Sequence, residues 1–266
     1  MILEFNDSDH SYIDRAGKKF QSVTTIIHNL CNPFNAEEQA PKSAKKKNNK
    51  WYGLSVEEIL QAWKDENTRS TELGSWYHKT QEDYILKELV KTSDREIKYP
   101  IYIAGKKKSP SQRLENNCIY PEHMVYLESA GIAGQVDRVD TINWEIFIQD
   151  HKTSKSIDTT SYVGYEGSKK MLGPVSHLDD CNFNHYTLQL SFYAYMIKQY
   201  QPLMNIKELV INHVEFESEG ENKYGYPIYR QNDKGDYIVK GVTPYHVPYL
   251  KREVIAIINH LKSQNK

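Results

Sequence analysis

Ile132-Ala133-Gly134-Gln135-Val136-Asp137-Arg138-Val139-Asp140, followed by Glu145-Ile146-Phe147-Ile148-Gln149-Asp150-His151-Lys152, reads as two neighbouring strands joined by a turn on Asn143-Trp144. Alternate side chains of a strand share a face. Ile146, Ile148, Asp150 and Lys152 therefore point one way. The first two suit a core. The last two carry a carboxylate and an ammonium to the end of that same face, which is costly unless the charges are used. With the turn centred on Asn143-Trp144, Val139 faces Ile148, Asp137 faces Asp150 and Gln135 faces Lys152. Two opposed carboxylates with Cβ atoms about 5 Å apart repel each other. A bound cation reverses the sign of that interaction.

Oxygen donors of this kind favour Mg²⁺ or Mn²⁺. Such an ion polarises a phosphoryl oxygen and lowers the pKa of bound water. Lys152 is placed to orient that water or to offset charge in the transition state. Asp137, Asp150 and Lys152 are accordingly the expected catalytic set for phosphodiester hydrolysis. An acidic-x-Lys triplet alone is common: Glu96-Ile97-Lys98 and Glu221-Asn222-Lys223 also match. Only the Asp150 copy ends an apolar strand and follows a strand carrying Gly-x-x-Asp.

Upstream, Tyr12–Asp14 and Phe20 flank a turn at Arg15-Ala16-Gly17-Lys18, and Ser22 suits the cap of a short helix through Val23, Ile26 and Ile27. Residues 40–53 read as a lysine- and asparagine-rich loop. Ser55 and Glu58 form a capping box for a helix through Leu60 and Trp63, and a second helix is expected over about Thr71–Lys91. On that second helix Leu73, Trp76, Tyr77 and Tyr84 form an apolar stripe. His78 lies off it, beside Gly74, Glu82 and Ile85. Residues 92–118 look like a surface excursion, and a strand is expected over Met124–Leu127. Downstream, 153–184 read as a long loop, Tyr186–Tyr200 as a helix, Ile206–Glu215 as a strand, Ile228–Val239 as a hairpin and Leu250–Leu261 as a closing amphipathic helix. The expected fold is α/β, a mixed central sheet flanked by helices.

The chain has 266 residues, 39% hydrophobic and 26% charged, enough for a packed core. Its net charge of −1 argues against a protein that grips duplex DNA by bulk charge. Any nucleic acid must be met locally, for example near Lys42, Lys45, Lys46, Lys47 and Lys50, or Lys106, Lys107 and Lys108. Three scattered cysteines, Cys31, Cys118 and Cys181, argue for a reducing compartment. Cytoplasmic localisation without a membrane span is the expectation. No Gly-Lys-Ser/Thr phosphate loop is present, so no ATP is expected. His177-x-x-x-Cys181-x-x-x-His185 is a rival zinc pattern without an obvious fourth ligand.

Gly134-Gln135-Val136-Asp137, Asp150-His151-Lys152, Gln189-Leu190-Ser191-Phe192-Tyr193 and the helical Gly74-Ser75-Trp76-Tyr77-His78 resemble, in order and spacing, the RecB-like branch of the PD-(D/E)XK nucleases. That branch includes phage and mitochondrial-genome-maintenance exonucleases. The resemblance covers residues 70–195 or so. It implies a restriction-endonuclease-like core. It also implies metal ligation by His78, Asp137, Asp150 and the carbonyl of His151, with Lys152 assisting the attacking water and Gln189 and Tyr193 contacting substrate. Glu122 and Glu82 are additional candidates. With no cysteine after Cys181, the iron–sulfur cluster of some relatives is not expected. One domain over 1–266 is expected, with 1–70 an N-terminal elaboration and 71–215 the catalytic core. The implied activity is a Mg²⁺- or Mn²⁺-dependent DNA exonuclease favouring single-stranded ends, in replication, recombination or repair, of phage or bacterial origin, with a protein partner in those processes left open. The alternatives are a structure-specific endonuclease and a non-cleaving DNA-binding recombination module.

Overall fold

A computed structural model describes residues 3–6, 11–91, 113–164 and 167–264. The chain begins with β1 (Leu3–Asn6), β2 (Ser11–Asp14) and β3 (Lys19–Ser22), then α1 (Val23–His28), α2 (Ala36–Lys45) and α3 (Val56–Lys91). It continues through β4 (Cys118–Leu127), β5 (Ile132–Ile142), β6 (Glu145–Lys152) and the short β7 (Val163–Gly164) and β8 (Gly167–Ser168). It ends with α4 (Asn182–Tyr200), β9 (Asn205–Phe216), β10 (Ser218–Glu221), β11 (Pro227–Tyr229), β12 (Val239–His246) and α5 (Lys251–Gln264).

The main sheet is mixed and runs β1-β2-β3-β5-β6-β9-β12, with β4 paired to β5. β3 with β5 and β6 with β9 are parallel; the other pairs are antiparallel. The local signals act where expected. Ser22 Oγ accepts from Thr25 N at the start of α1, and Ser55 and Glu58 close their capping box at α3. Asn143 and Trp144 both have positive φ, 51° and 66°, and turn β5 into β6, as a two-residue hairpin whose twist matches its strands requires.

Helices cover both faces. Leu209 and Ile211 of β9 join Ile146 and Ile148 of β6 in a core closed by Leu188, Phe192 and Ile197 of α4 and Val254 and Ile257 of α5. Val214 and Phe216, of the opposite parity on β9, pack instead with Leu73 and Tyr77 of α3. The C-terminal end of β6 therefore lies between α3 on one side and α4 on the other.

Several expectations need correction. The two helices expected before residue 91 are one 36-residue helix, α3, because nothing between Trp63 and Thr71 breaks a helix. Tyr84 is not on its buried stripe but 59% exposed. Part of the 40–53 loop is the end of α2, which tolerates Pro41 inside it. The long loop at 153–184 contains the β7–β8 pair and the first three residues of α4. An edge strand, β12, extends the sheet where none was expected; its burial pattern, mostly exposed, carries no apolar alternation to reveal it. Residues 92–112, including Lys106, Lys107 and Lys108, lie outside the described residues. Among the described residues no helix is long and apolar enough to cross a membrane.

Candidate active site

β5 is the strand on which the site is built. Ile132 and Ala133 pair with β4 on one edge and with Gln21 and Ser22 of β3 on the other. Arg138–Thr141 pair with β4 and, on that second edge, Arg138–Ile142 pair with β6. Between them, among the described residues, Gly134–Val136 keep only the β4 edge and Asp137 falls outside the register of both edges. β3 and β6 thus share one side of β5 and leave a notch between them.

The hairpin register is the expected one: Val139 lies opposite Ile148 and Arg138 opposite Gln149. The ladder then stops one pair short of Asp137 and Asp150, and never reaches Gln135 and Lys152. In place of a ladder bond, the Asp137 carboxylate accepts the His151 N–H at 2.6 Å. The facing strand is irregular at the same level. Glu122 in β4 has φ 48° and is skipped by the register with β5, which passes from Pro121–Arg138 to His123–Val136, and burial along β5 changes phase between Val136 and Val139. Such irregularities re-aim side chains. Here they turn Asp137 and Glu122 towards the notch.

His78 Nδ1, from α3, lies 3.3 Å from Asp137 Oδ1. His78, Glu122 and Asp137 each bring one donor atom within 4.8 Å of the others. Gln135 holds Glu122, donating from Nε2 to Oε2 at 2.9 Å. Asp150 is 1% exposed. Its Oδ2 faces Lys152 Nζ at 2.6 Å and its Oδ1 accepts from Gln189 Nε2 at 3.3 Å. Gln189 Nε2 also donates to the Tyr193 hydroxyl at 2.9 Å, and Lys152 Nζ stands 4.9 Å from the centre of the Tyr186 ring. The expected residues His78, Asp137, Asp150, His151, Lys152, Gln189 and Tyr193 are thus gathered around one notch.

Gln189 is buried, 7% exposed. Gly74 leaves room for the chain just beyond β6, since a Cβ there would lie 3.4 Å from Thr153 Oγ1. Glu122 lies inside β4 and joins the donor set. Glu82 is buried, 4.0 Å from Lys79, and is not among the three converging donors. Tyr186 and Tyr12 were not singled out as site residues by sequence, and Gln135 entered only as a motif position opposite Lys152. Tyr12 reaches the site from β2, and its hydroxyl is held neutral by burial and by Glu122. No spacing rule links so distant a strand to residue 122.

The electrostatics are those of charges held apart from water. Asp137 raises the pKa of His78 to about 9, against the effect of burial. Burial alone would raise Asp137, but His78, Lys152 and His151 outweigh it and bring the carboxyl down to about 2. Burial pushes Asp150 up to about 6; Lys152 opposes this and Asp137 adds to it. Burial lowers Lys152, yet Asp150 and Asp137 leave it above its ordinary value. His151 is lowered by burial; its ring packs edge-on against Tyr77, and its Nδ1 is buried without a hydrogen bond. The donor set of carboxylate oxygens and one imidazole suits a hard divalent cation. Two buried carboxylates, one resisting ionisation beside the other, are the electrostatic condition a cation relieves.

The rival zinc pattern does not assemble. His177 pairs with Glu253 of α5 at 3.3 Å, and Cys181 is buried at the cap of α4. No family model matches this chain, and no curated protein matches it.

Proposed function

We propose that the chain is a Mg²⁺- or Mn²⁺-dependent deoxyribonuclease of the RecB-like PD-(D/E)XK type, hydrolysing phosphodiester bonds from a DNA end. The observation that carries this reading is the Asp137–Asp150–Lys152 cluster at the splayed end of the β5–β6 hairpin, with His78 brought in by α3. His78, Asp137, Asp150 and the His151 peptide are the proposed metal ligands, with Glu122 as a further oxygen donor. The ion, when bound, supplies Lewis-acid activation of the scissile phosphate and a more acidic water.

The chain's own groups have distinct tasks. Lys152 keeps its proton at Nζ, because Asp150 at 2.6 Å favours the ammonium. It is therefore a donor, suited to positioning water or stabilising a developing charge, and not the general base. Gln189 fixes Asp150 from α4, and Tyr193 fixes Gln189. Among the described residues, no strand pairs with β5 at the notch beside Asp137.

The test is a gel of end-labelled linear single- and double-stranded DNA with Mg²⁺ or Mn²⁺ and no ATP, beside a closed single-stranded circle. Stepwise shortening of linear DNA, lost in Asp150→Asn, is the expected result. Rapid cutting of the circle would replace end-dependence with endonuclease action. Metal-independent cutting, or none of any substrate, would overturn the reading.

A further inference from the structure

Away from that site, three donors of different chemistry meet on segments distant in sequence. Cys31 lies just beyond α1, Asp180 precedes α4, and His185 is in the first turns of α4. Cys31 Sγ is 3.3 Å from His185 Nε2. Asp180 Oδ1 is 2.8 Å from the same nitrogen. All three donor atoms lie within 4.8 Å of one another.

A cysteine–histidine nucleophile does not explain the arrangement. That chemistry needs the carboxylate on the far ring nitrogen, orienting the imidazole while the near one takes the thiol proton. Here thiol and carboxylate converge on one nitrogen. A cation explains it. Tetrahedral zinc, with Zn–S about 2.3 Å and Zn–N or Zn–O about 2.0–2.1 Å, spaces such donors about 3.3–3.6 Å apart. Both observed spacings fall within about 0.6 Å of that range. The carboxylate is also set from behind: Asp180 Oδ2 accepts from Asn32 N at 2.9 Å and Asn32 Nδ2 at 2.7 Å. This leaves Oδ1 turned to the histidine. Outer hydrogen bonds of this kind orient metal ligands.

We propose that Cys31, Asp180 and His185 form a zinc site, with water in the fourth position, that clasps the end of α1 to the start of α4. A thiolate and an imidazole select zinc over magnesium, which separates this site from the oxygen-rich one on β5. The Cys31 thiol, which donates to Ile27 O at 3.2 Å, gives its proton to solvent as the S–Zn bond forms. His185, 25% exposed, leaves the site reachable from solvent. Its position has a consequence for the rest of the molecule. Gln189, which holds Asp150, is one turn further along α4. The zinc therefore anchors the turn that leads into it.

The test uses the full chain, stripped with chelator and titrated with Co²⁺ as a spectroscopic stand-in. A thiolate-to-cobalt charge-transfer band that saturates at one equivalent and is displaced by Zn²⁺ is expected. Cys31→Ser should lose the band, and His185→Gln should weaken cobalt binding at least about tenfold. Asp150→Asn and His78→Ala should keep the band, so the outcome does not depend on the nuclease reading. Zinc should raise the melting temperature of the wild type and not that of a folded Cys31→Ser. If Cys31→Ser fails to fold, Asp180→Asn provides the same comparison, with weakened cobalt binding expected. The absence of a charge-transfer band in the wild type at excess Co²⁺, or its persistence in Cys31→Ser, would overturn the proposal.

Discussion

Gly134→Ala tests the packing on which the site depends. A Cβ at Gly134 would lie 2.5 Å from Tyr193 Cε1 and 3.4 Å from Cδ1 and Cζ. Carbon atoms pack best at about 3.5–4.0 Å, so ring or strand must yield by roughly 1 Å. Neither is free to do so. Tyr193 is 2% exposed and tied through its hydroxyl to Gln189; β5 is held by β4 along this stretch. Overpacking of this kind costs about 1–3 kcal/mol. Alanine recovers about 0.5 kcal/mol by restricting the unfolded chain, leaving a net loss of about 0.5–2.5 kcal/mol. For a chain of this length each kcal/mol lowers Tm by about 2–4 °C.

The displaced ring also pulls Gln189 from Asp150, a contact already long at 3.3 Å, so cleavage should fall further than stability. Denaturant melts of Gly134→Ala, Tyr193→Leu and the double variant give the coupling directly. Relief of the clash by the smaller side chain should appear as about 1 kcal/mol or more of favourable non-additivity. A Gly134→Ala protein within about 0.5 kcal/mol of wild type, with additive energies in the cycle, would refute the close approach of α4 to β5.

Asp150→Asn should abolish cleavage. Because burial and Asp137 hold the Asp150 carboxyl at about 6 against an ordinary 3.8, ionising it opposes folding in metal-free protein. Its contribution therefore declines as pH rises from about 4 through 6, and pH-dependent melts of the variant should lack that decline. His78→Ala should weaken Mn²⁺ activation more than Mg²⁺ activation, since imidazole suits the softer ion; identical metal curves would return His78 to packing. Asp137 raises His78 to about 9, so its contribution to metal-free stability is full below about 6.5 and lost as pH rises through 9. Melts of wild type and variant between pH 6 and 10 should converge at the alkaline end. Trp144→Gly should stabilise the protein by about 1 kcal/mol, because Trp144 holds φ 66° and is 58% exposed. An equal or lower melting temperature would mean the ring packs more usefully than its exposure indicates.

What could be read beforehand follows from how local each signal is. The β5–β6 register was legible because apolar alternation and a two-residue turn constrain each other. The grouping of His78, Gln189 and Tyr193 around Asp137 and Asp150 came from motif resemblance, which stores long-range proximity that periodicity does not. The early stop of the ladder was hidden, since apolar alternation marks neither where pairing ends nor the positive φ of Glu122 on the neighbouring strand. Burial of Gln189 was hidden too, because a glutamine is buried only when its partners are known. The strand β12 escaped because its outward residues are exposed on the sheet's edge. Cys31, Asp180 and His185 could not be joined from sequence at all, with 154 positions between Cys31 and His185.

The notch in β5 has a kinetic side. β4, β5 and β6 meet through neighbouring segments, and a hairpin closes in about 1–10 μs. β3 must instead arrive from more than a hundred positions away to pair at Gln21 with Ile132, and β9 must wait for α4 to cross. Closing such long loops is the slow part of folding. The two carboxylates are therefore placed early, by the hairpin, while His78 on α3 and Gln189 on α4 reach them only as the distant segments dock. On this order of events, divalent cations added during refolding should speed the last phase of assembly, in which α3 and α4 close on the carboxylates.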